Sequence, residues 1–312
     1  MNIKNVVVVG GGMMGNALAQ VFASNPDLHV TLKTRALRED RWDMIINNLD
    51  IMISRGAATE EEKAAILERI HFEVDDAKAY TDADFIIECA PEVMATKQEL
   101  FCNIENYCSD KCILATNSSV MSCTEIGSKC KHPERVVGAH FWNPGHLIPL
   151  VEVIKSDVTE EWVIEETMEL MTVCGKKPVY CKKDVPGFVA NRLQHALWRE
   201  AFYMVENGIA DAKTVDDACK YGPGLRWPIM GPMENSDVVG IQLSNNIHDY
   251  VLPHLADNHE PSKGLTEMLE RGDLGFKTGK GWQEWTPEQM TAVNTGLREY
   301  LIDYIAKQKK NG

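Results

Sequence analysis

The 312-residue chain has no basic excess: 32 Lys and Arg stand against 46 Asp and Glu, a net charge of −14. That balance argues against duplex nucleic acid as a partner, because phosphate binding draws on clustered cations. No apolar run approaches the ~18 residues of a membrane span. The N-terminus imitates a secretory leader, with Lys4 before Val6–Val9 and Ala17 and Ala19 as a cleavage site, but Gly10–Gly12 break the run. The expectation is a cytoplasmic protein without a membrane partner. The nine cysteines form no CxxC pair and no ordered spacing with histidine, so neither a metal site nor a disulfide framework is expected. Cys89 and Cys181 sit in apolar runs and read as small buried hydrophobes. With 44% hydrophobic and 25% charged residues the chain is neither disordered nor fibrous, and its length suggests two domains.

What is present is alternation. Ile3–Val9 reads as a buried strand, Gly10–Gly15 as a turn, and Met14, Leu18, Val21 and Phe22 as one face of a helix. Further strands are predicted at Leu28–Lys33, His71–Val74, Asp84–Glu88, Cys112–Thr116, Arg135–His140, Val151–Ile154 and Pro178–Cys181. Helices are predicted over Arg38–Ser54, Thr59–Arg69 (opened by a Thr59/Glu62 capping box) and Thr159–Val173. This pattern implies right-handed crossovers and a parallel sheet: an α/β Rossmann-type domain over 1–185. From Pro186, read as the first turn of a helix running to about Val205, the pattern is helical to the end. That makes 186–312 a smaller all-helical domain, with a ligand cleft between the two.

Gly10, Gly12 and Gly15 form G-x-G-x-x-G, with Met13 and Met14 at its variable positions, between a strand and a helix. Gly10 allows a tight turn, Gly12 lets the backbone approach a pyrophosphate, and Gly15 lets the helix pack on the strand. The helix start then offers free amides and positive dipole to the diphosphate, so a dinucleotide cofactor is expected. Its ribose 2′-hydroxyl would be held by an acid at the end of the second strand. There stand instead Thr34, 19 residues after Gly15, and Arg35. A hydroxyl and a guanidinium suit a 2′-phosphate, so NADP is favoured over NAD. The other reading makes Arg35 and Arg38 solvated charges and gives the ribose to Glu39 or Asp40.

Five stretches in order, Asp84–Lys97 (DFIIECAPEVMATK), Leu114–Ser119 (LATNSS), Gly138–Pro144 (GAHFWNP), Pro149–Ile154 (PLVEVI) and Asp184–Leu193 (DVPGFVANRL), resemble the signatures of the L-3-hydroxyacyl-CoA dehydrogenases. The closing Lys277–Trp282 (KTGKGW) is similar too. The resemblance implies a helical C-terminal domain that pairs two subunits into a homodimer, and oxidation of a 3-hydroxyl to a 3-keto group. By it, His140 is the catalytic base and Glu152 its orienting partner, while Ser119 and Asn191 hold the substrate oxygen. Glu92, Lys97, Asn117 and Asn143 match positions around the nicotinamide and its ribose. Proton loss from a carbinol suits an imidazole titrating near neutrality, and neutral donors stabilise an alkoxide-like oxygen. Ser119 as a helix cap and Asn191 as a local backbone partner are the structural alternatives. His146 and His195 read as structural.

The chain departs from the fatty-acid-degrading members at Gly222–Pro232 (GPGLRWPIMGP), where Gly-Leu-Arg resembles relatives acting on free hydroxy acids, such as carnitine dehydrogenase and gulonate dehydrogenase (λ-crystallin). Arg226, in a turn stiffened by Pro223 and Pro228, is therefore a candidate for a substrate carboxylate; the alternative pairs it with Glu234. The substrate is expected to be a short 3-hydroxyacyl-CoA or a free 3-hydroxy acid. Because one relative is a lens crystallin, the alternative is a non-catalytic cofactor-binding or structural protein.

Overall fold

The computed structural model describes residues 2–311. In chain order it forms β1 (Asn5–Val9), α1 (Met13–Ala23), β2 (His29–Lys33), α2 (Asp43–Ser54), α3 (Glu60–Arg69), β3 (Ile70–Glu73), α4 (Asp76–Tyr80) and β4 (Phe85–Glu88). There follow α5 (Met94–Ile104), β5 (Ile113–Thr116), α6 (Cys123–Gly127), β6 (Val136–Phe141), β7 (Leu150–Lys155), α7 (Glu161–Val173) and β8 (Lys177–Cys181). The remainder is helical: α8 (Ala190–Glu206), α9 (Ala212–Tyr221), α10 (Pro232–Val239), α11 (Ile241–Val251), α12 (Lys263–Arg271) and α13 (Pro287–Asn311). Among the described residues no helix is long and apolar enough to cross a membrane.

The eight strands form one sheet in the order β3-β2-β1-β4-β5-β6-β7-β8. Because both faces of the sheet's middle are covered, β1, β4 and β5 read as near-continuous apolar runs rather than alternating ones. Val6 and Val8 join Leu18 and Phe22 of α1 in one core, whereas Val7 and Val9 join Phe101 and Ile104 of α5 in another. The order turns at β1, whose neighbours are β2 and β4, and the glycine turn leaves its carboxyl end. Ligands of open α/β sheets bind at such a crevice.

The sheet is not wholly parallel, as the alternation suggested. β6 and β7 are antiparallel, with His140 directly opposite Glu152 in register. The segment joining them contains no crossover helix, and a parallel return needs a dozen or more residues. Two helix starts also differ from expectation. α2 begins at Asp43 rather than Arg38, and α8 at Ala190 rather than Pro186. Gly187 (φ 77) and Phe188 (φ 48) take left-handed backbone, which an α-helix cannot contain, so Pro186 opens a turn instead. The Thr59/Glu62 capping box of α3 is present.

The chain divides into two compact units, Met1–Ala190 with Gly296–Gly312, and Asn191–Thr295. The end of α13, which the sequence pattern grouped with the helical part, thus counts with the first unit. There Ile302, with Leu301 and Ile305, packs on Met52, Ala57 and Leu147. In the second unit the only buried hydrophobic among the described residues is Ala256.

Candidate active site

The three glycines of the turn are not equivalent. Gly10 has φ 114, a conformation that disfavours any side chain, and a Cβ at Gly15 would lie 1.7 Å from the Gly10 carbonyl oxygen. A Cβ at Gly12, in contrast, would meet nothing within 4 Å. Gly12 is the N-cap of α1, with no side-chain cap and no acid in the first turn, so the first amides and the positive end of the helix carry no side-chain partner there. Asn16 donates to the Gly11 and Gly12 carbonyls at 2.9 Å each and stiffens the loop. Met13 is exposed at the start of α1, and Met14 lies against the core. These features fit a dinucleotide diphosphate. At the end of β2, Thr34 donates to Ala36 O at 3.1 Å. Arg35 is exposed, and its guanidinium meets no carboxylate among the described residues. Arg38 is instead committed to Asp40, Nε to Oδ1 at 2.8 Å and Nη2 to Oδ2 at 2.6 Å.

At the ends of β4 and β5 lies a polar cluster that sequence reasoning caught only in part. Lys97, 1% exposed, pairs with Glu88, 0% exposed, at 2.7 and 2.9 Å. Glu88 also accepts from Ala90 N at 2.7 Å and from the Thr116 hydroxyl, so a charge buried at this depth is fully bonded. Glu92 lies 3.6 Å from the same ammonium and accepts from Ser118 Oγ at 2.8 Å and Ser119 N at 3.2 Å. Asn117 Oδ1 accepts from Phe141 N at 2.8 Å, tying this cluster to the residue after His140. Glu88 was missed, although an acid closing the apolar run Phe85–Ile87 at the carboxyl end of a strand was a usable signal.

His140, 4% exposed, presents Nδ1 to Glu152 Oε2 at 2.9 Å. Glu152 is fully buried, and its other oxygen accepts from Val189 N and Ala190 N at 2.9 Å each, at the start of α8. Trp142 Nε1 donates to Oε2 at 3.2 Å. Burial alone would raise the carboxyl, but the donors from His140, Ala190, Val189 and Trp142 outweigh it and hold Glu152 below the usual carboxylate range. A carboxylate at Nδ1 fixes the ring, leaving Nε2 as the position for proton exchange. Phe188 packs 5.7 Å from the imidazole centroid and is itself buried, held in its left-handed backbone beside Cys181. Strained backbone of this kind persists where surrounding contacts over-determine it. Neither Trp142 nor Phe188 was singled out from sequence, and only the indole N–H could have hinted at the first.

The remaining expected residues are placed as follows. Asn143 precedes the cis bond to Pro144. Asn191, the second residue of α8, and Arg226 belong to the second unit. Arg226 closes a 3₁₀ turn, Pro223–Leu225, and is exposed. It meets no carboxylate among the described residues, whereas Glu234 caps Gly231 N at 2.8 Å, so the Arg226–Glu234 pairing does not form.

A dinucleotide-binding sheet whose β6–β7 hairpin carries a buried imidazole–carboxylate pair has the architecture of an α/β dehydrogenase. Residues 5–185 match the family model for the 3-hydroxyacyl-CoA dehydrogenase NAD binding domain, and residues 187–285 its C-terminal domain. The chain belongs to the 3-hydroxyacyl-CoA dehydrogenase family. It is 33% identical over 301 residues to the 3-hydroxyadipyl-CoA dehydrogenase of Escherichia coli, covering 94% of this chain and 61% of that longer protein. Identity to the L-carnitine dehydrogenase of Bacillus cereus is 35% over 247 residues, 77% of this chain and 72% of that one. The crystal structure of 5-formyl-3-hydroxy-2-methylpyridine 4-carboxylic acid 5-dehydrogenase, an NAD⁺-dependent dismutase, superposes with TM-score 0.88 at 29% identity, covering 97% of both chains.

Proposed function

We propose that the protein is a nicotinamide-dependent dehydrogenase that interconverts the 3-hydroxyl and 3-keto groups of a small free hydroxy acid. The His140–Glu152 pair carries this reading: a buried imidazole with Nδ1 bound at 2.9 Å to a carboxylate is a proton acceptor aimed through Nε2. The nicotinamide, when bound, takes or returns the hydride. His140 takes the hydroxyl proton, and Glu152 stabilises the resulting imidazolium. Ser119 and Asn191 hold the substrate oxygen as neutral donors. Gly10, Gly12 and Gly15 seat the diphosphate, with Glu92, Lys97, Asn117 and Asn143 toward the nicotinamide half. An intact pair of this kind disfavours a purely structural, crystallin-like role.

Support for a free acid rather than a coenzyme A thioester comes from Arg226, whose guanidinium is exposed and engages no protein carboxylate among the described residues. A planar fork on a stiff turn matches a carboxylate through two hydrogen bonds. Two of the relatives, by their names, act on carnitine and on a pyridine carboxylate. Thr34 and Arg35 support NADP(H) as at least a competitive cofactor beside NAD(H). The uncovered apolar surface of the second unit supports a homodimer.

The test is a panel of free 3-hydroxy acids and acetoacetyl-CoA crossed with both cofactors. Expected is turnover of a free acid that falls ~10²-fold in kcat/KM in Arg226→Met, and an NADP(H) component that Arg35→Ala weakens selectively. Robust reduction of acetoacetyl-CoA with none of the free acids turned over would overturn the substrate assignment. Strong NAD(H) preference untouched by Arg35→Ala would overturn the cofactor assignment.

A further inference from the structure

The Glu152 carboxylate receives more donors than its partnership with His140 requires. Oε1 takes the two amides of Val189 and Ala190, while Oε2 is shared by His140 Nδ1 at 2.9 Å and Trp142 Nε1 at 3.2 Å. A carboxylate offers about four lone-pair sites, so this one is filled. The indole lies beside the imidazole it competes with, their centroids 5.8 Å apart. Resting on the reading of His140 as the proton acceptor, we infer that Trp142 is a positioning residue: its N–H draws charge from the oxygen that holds His140 and keeps the imidazole a ready acceptor rather than a trapped cation.

The direction follows from electrostatics at short range. The indole N–H points its positive end at Oε2, lowering the potential available to an imidazolium on the same oxygen. Without it, Oε2 would serve His140 alone, the Nδ1 hydrogen bond would strengthen and the protonated pair would gain. Few other charges face this oxygen pair. From β8 the Cys181 thiol lies 4.0 Å from Oε1, and burial pushes it up to about 11, so it stays neutral. Asp184, beyond β8, is bound by Ser122 Oγ at 2.6 Å and Thr124 N at 2.9 Å. The Gly187–Ala190 segment contributes backbone amides. Trp142 is thus the neutral donor set against the imidazole on one oxygen.

The experiment replaces Trp142 in the full-length protein by the isosteric benzothienylalanine, which keeps the bicyclic shape and removes the N–H, and in parallel by phenylalanine. Two readouts are followed: the acid limb of kcat/KM, and the pH titration of the His140 ring resonances by NMR, which needs no turnover. In both variants the limb and the titration are expected to move to higher pH by ~0.5 unit, a threefold shift in the proton equilibrium. The Nδ1 proton resonance should also move downfield. An unmoved ring titration in the benzothienyl variant overturns the inference, whatever the phenylalanine variant does, because only packing would then be at stake. If the native protein turns over no hydroxy acid or thioester, the proposed function fails separately, while the ring titration still decides the role of Trp142.

Discussion

At the scale of single residues, the proposed proton acceptor is shared between two side chains, His140 and Glu152, that the antiparallel β6–β7 pairing sets opposite each other. Removing His140 should therefore cost chemistry and leave binding: His140→Ala is expected to lose at least ~10²-fold in turnover, with dinucleotide affinity retained by fluorescence titration. Near-normal turnover would sink the assignment. Glu152→Gln should be slow and also less stable. All four nitrogen donors point at carboxylate oxygens, and an amide turns one oxygen into a donor. With the amide nitrogen toward the Val189 and Ala190 N–H groups those two lose their acceptor, and with it the other way round the Trp142 indole N–H does, at ~1–3 kcal/mol each. Calorimetry should show a lowered Tm for Glu152→Gln beside the kinetic loss. His146 makes a second residue-scale case. Its Nδ1 is buried without a partner among the described residues, and burial, helped by the Lys176 charge, lowers it from 6.5 to about 4. The folded state thus binds this proton less tightly than the unfolded chain. Stability is complete above about 6.5 and is lost as pH falls from there toward about 4, by up to ~3 kcal/mol. Urea midpoints measured across that window should fall less steeply in His146→Gln, and identical slopes would count against a buried neutral ring.

At the scale of elements, the β1–turn–α1 unit separates two uses of glycine. Gly15→Ala drives a Cβ to 1.7 Å from a backbone oxygen and should destabilise the apo protein. Gly12→Ala meets open space and takes an ordinary extended φ of −80, so apo stability should hold or rise slightly while dinucleotide affinity falls at least tenfold. Equal loss of Tm in both would show that the turn is structural only. This unit was legible in the sequence because strand, glycine spacing and helix are all local signals. So were all eight strands, whose apolar runs are bounded by polar turns. The antiparallel β6–β7 return was not, since strand direction depends on what the connection can span rather than on the strands themselves. Nor was the delayed start of α8: Pro186 carries a helix-start signal, but Gly187 and Phe188 turn left-handed, which brings the Val189 and Ala190 amides to Glu152. The Glu88–Lys97 pair and the Trp142 donor escaped for the same reason, each joining residues whose partnership exists only once separate strands and loops have packed.

At the scale of the whole molecule, the second unit fully buries little apolar surface of its own. Between Asn191 and Thr295 the only buried hydrophobic among the described residues is Ala256, while Ile229 is 87% exposed, Met233 77% and Tyr250 77%. Large apolar side chains left open in such numbers exceed the scattered few that a monomer's surface tolerates, which supports the proposal of an interface. We propose a second copy of the same chain as the partner: its like charge of −14 opposes association, but an apolar patch lets the subunits meet where neither presents its carboxylates. Closed symmetry then makes the same patch serve both subunits. Light scattering at micromolar concentration is expected to give about twice the 35.0 kDa chain mass. Tyr250→Asp, which sets a charge on each side of a two-fold contact, should weaken association at least tenfold and lower the Tm with it, since the second unit's core would be completed only in the dimer. A monomer mass for the unaltered protein at that concentration would refute the dimer, and would leave Ile229, Met233 and Tyr250 facing water.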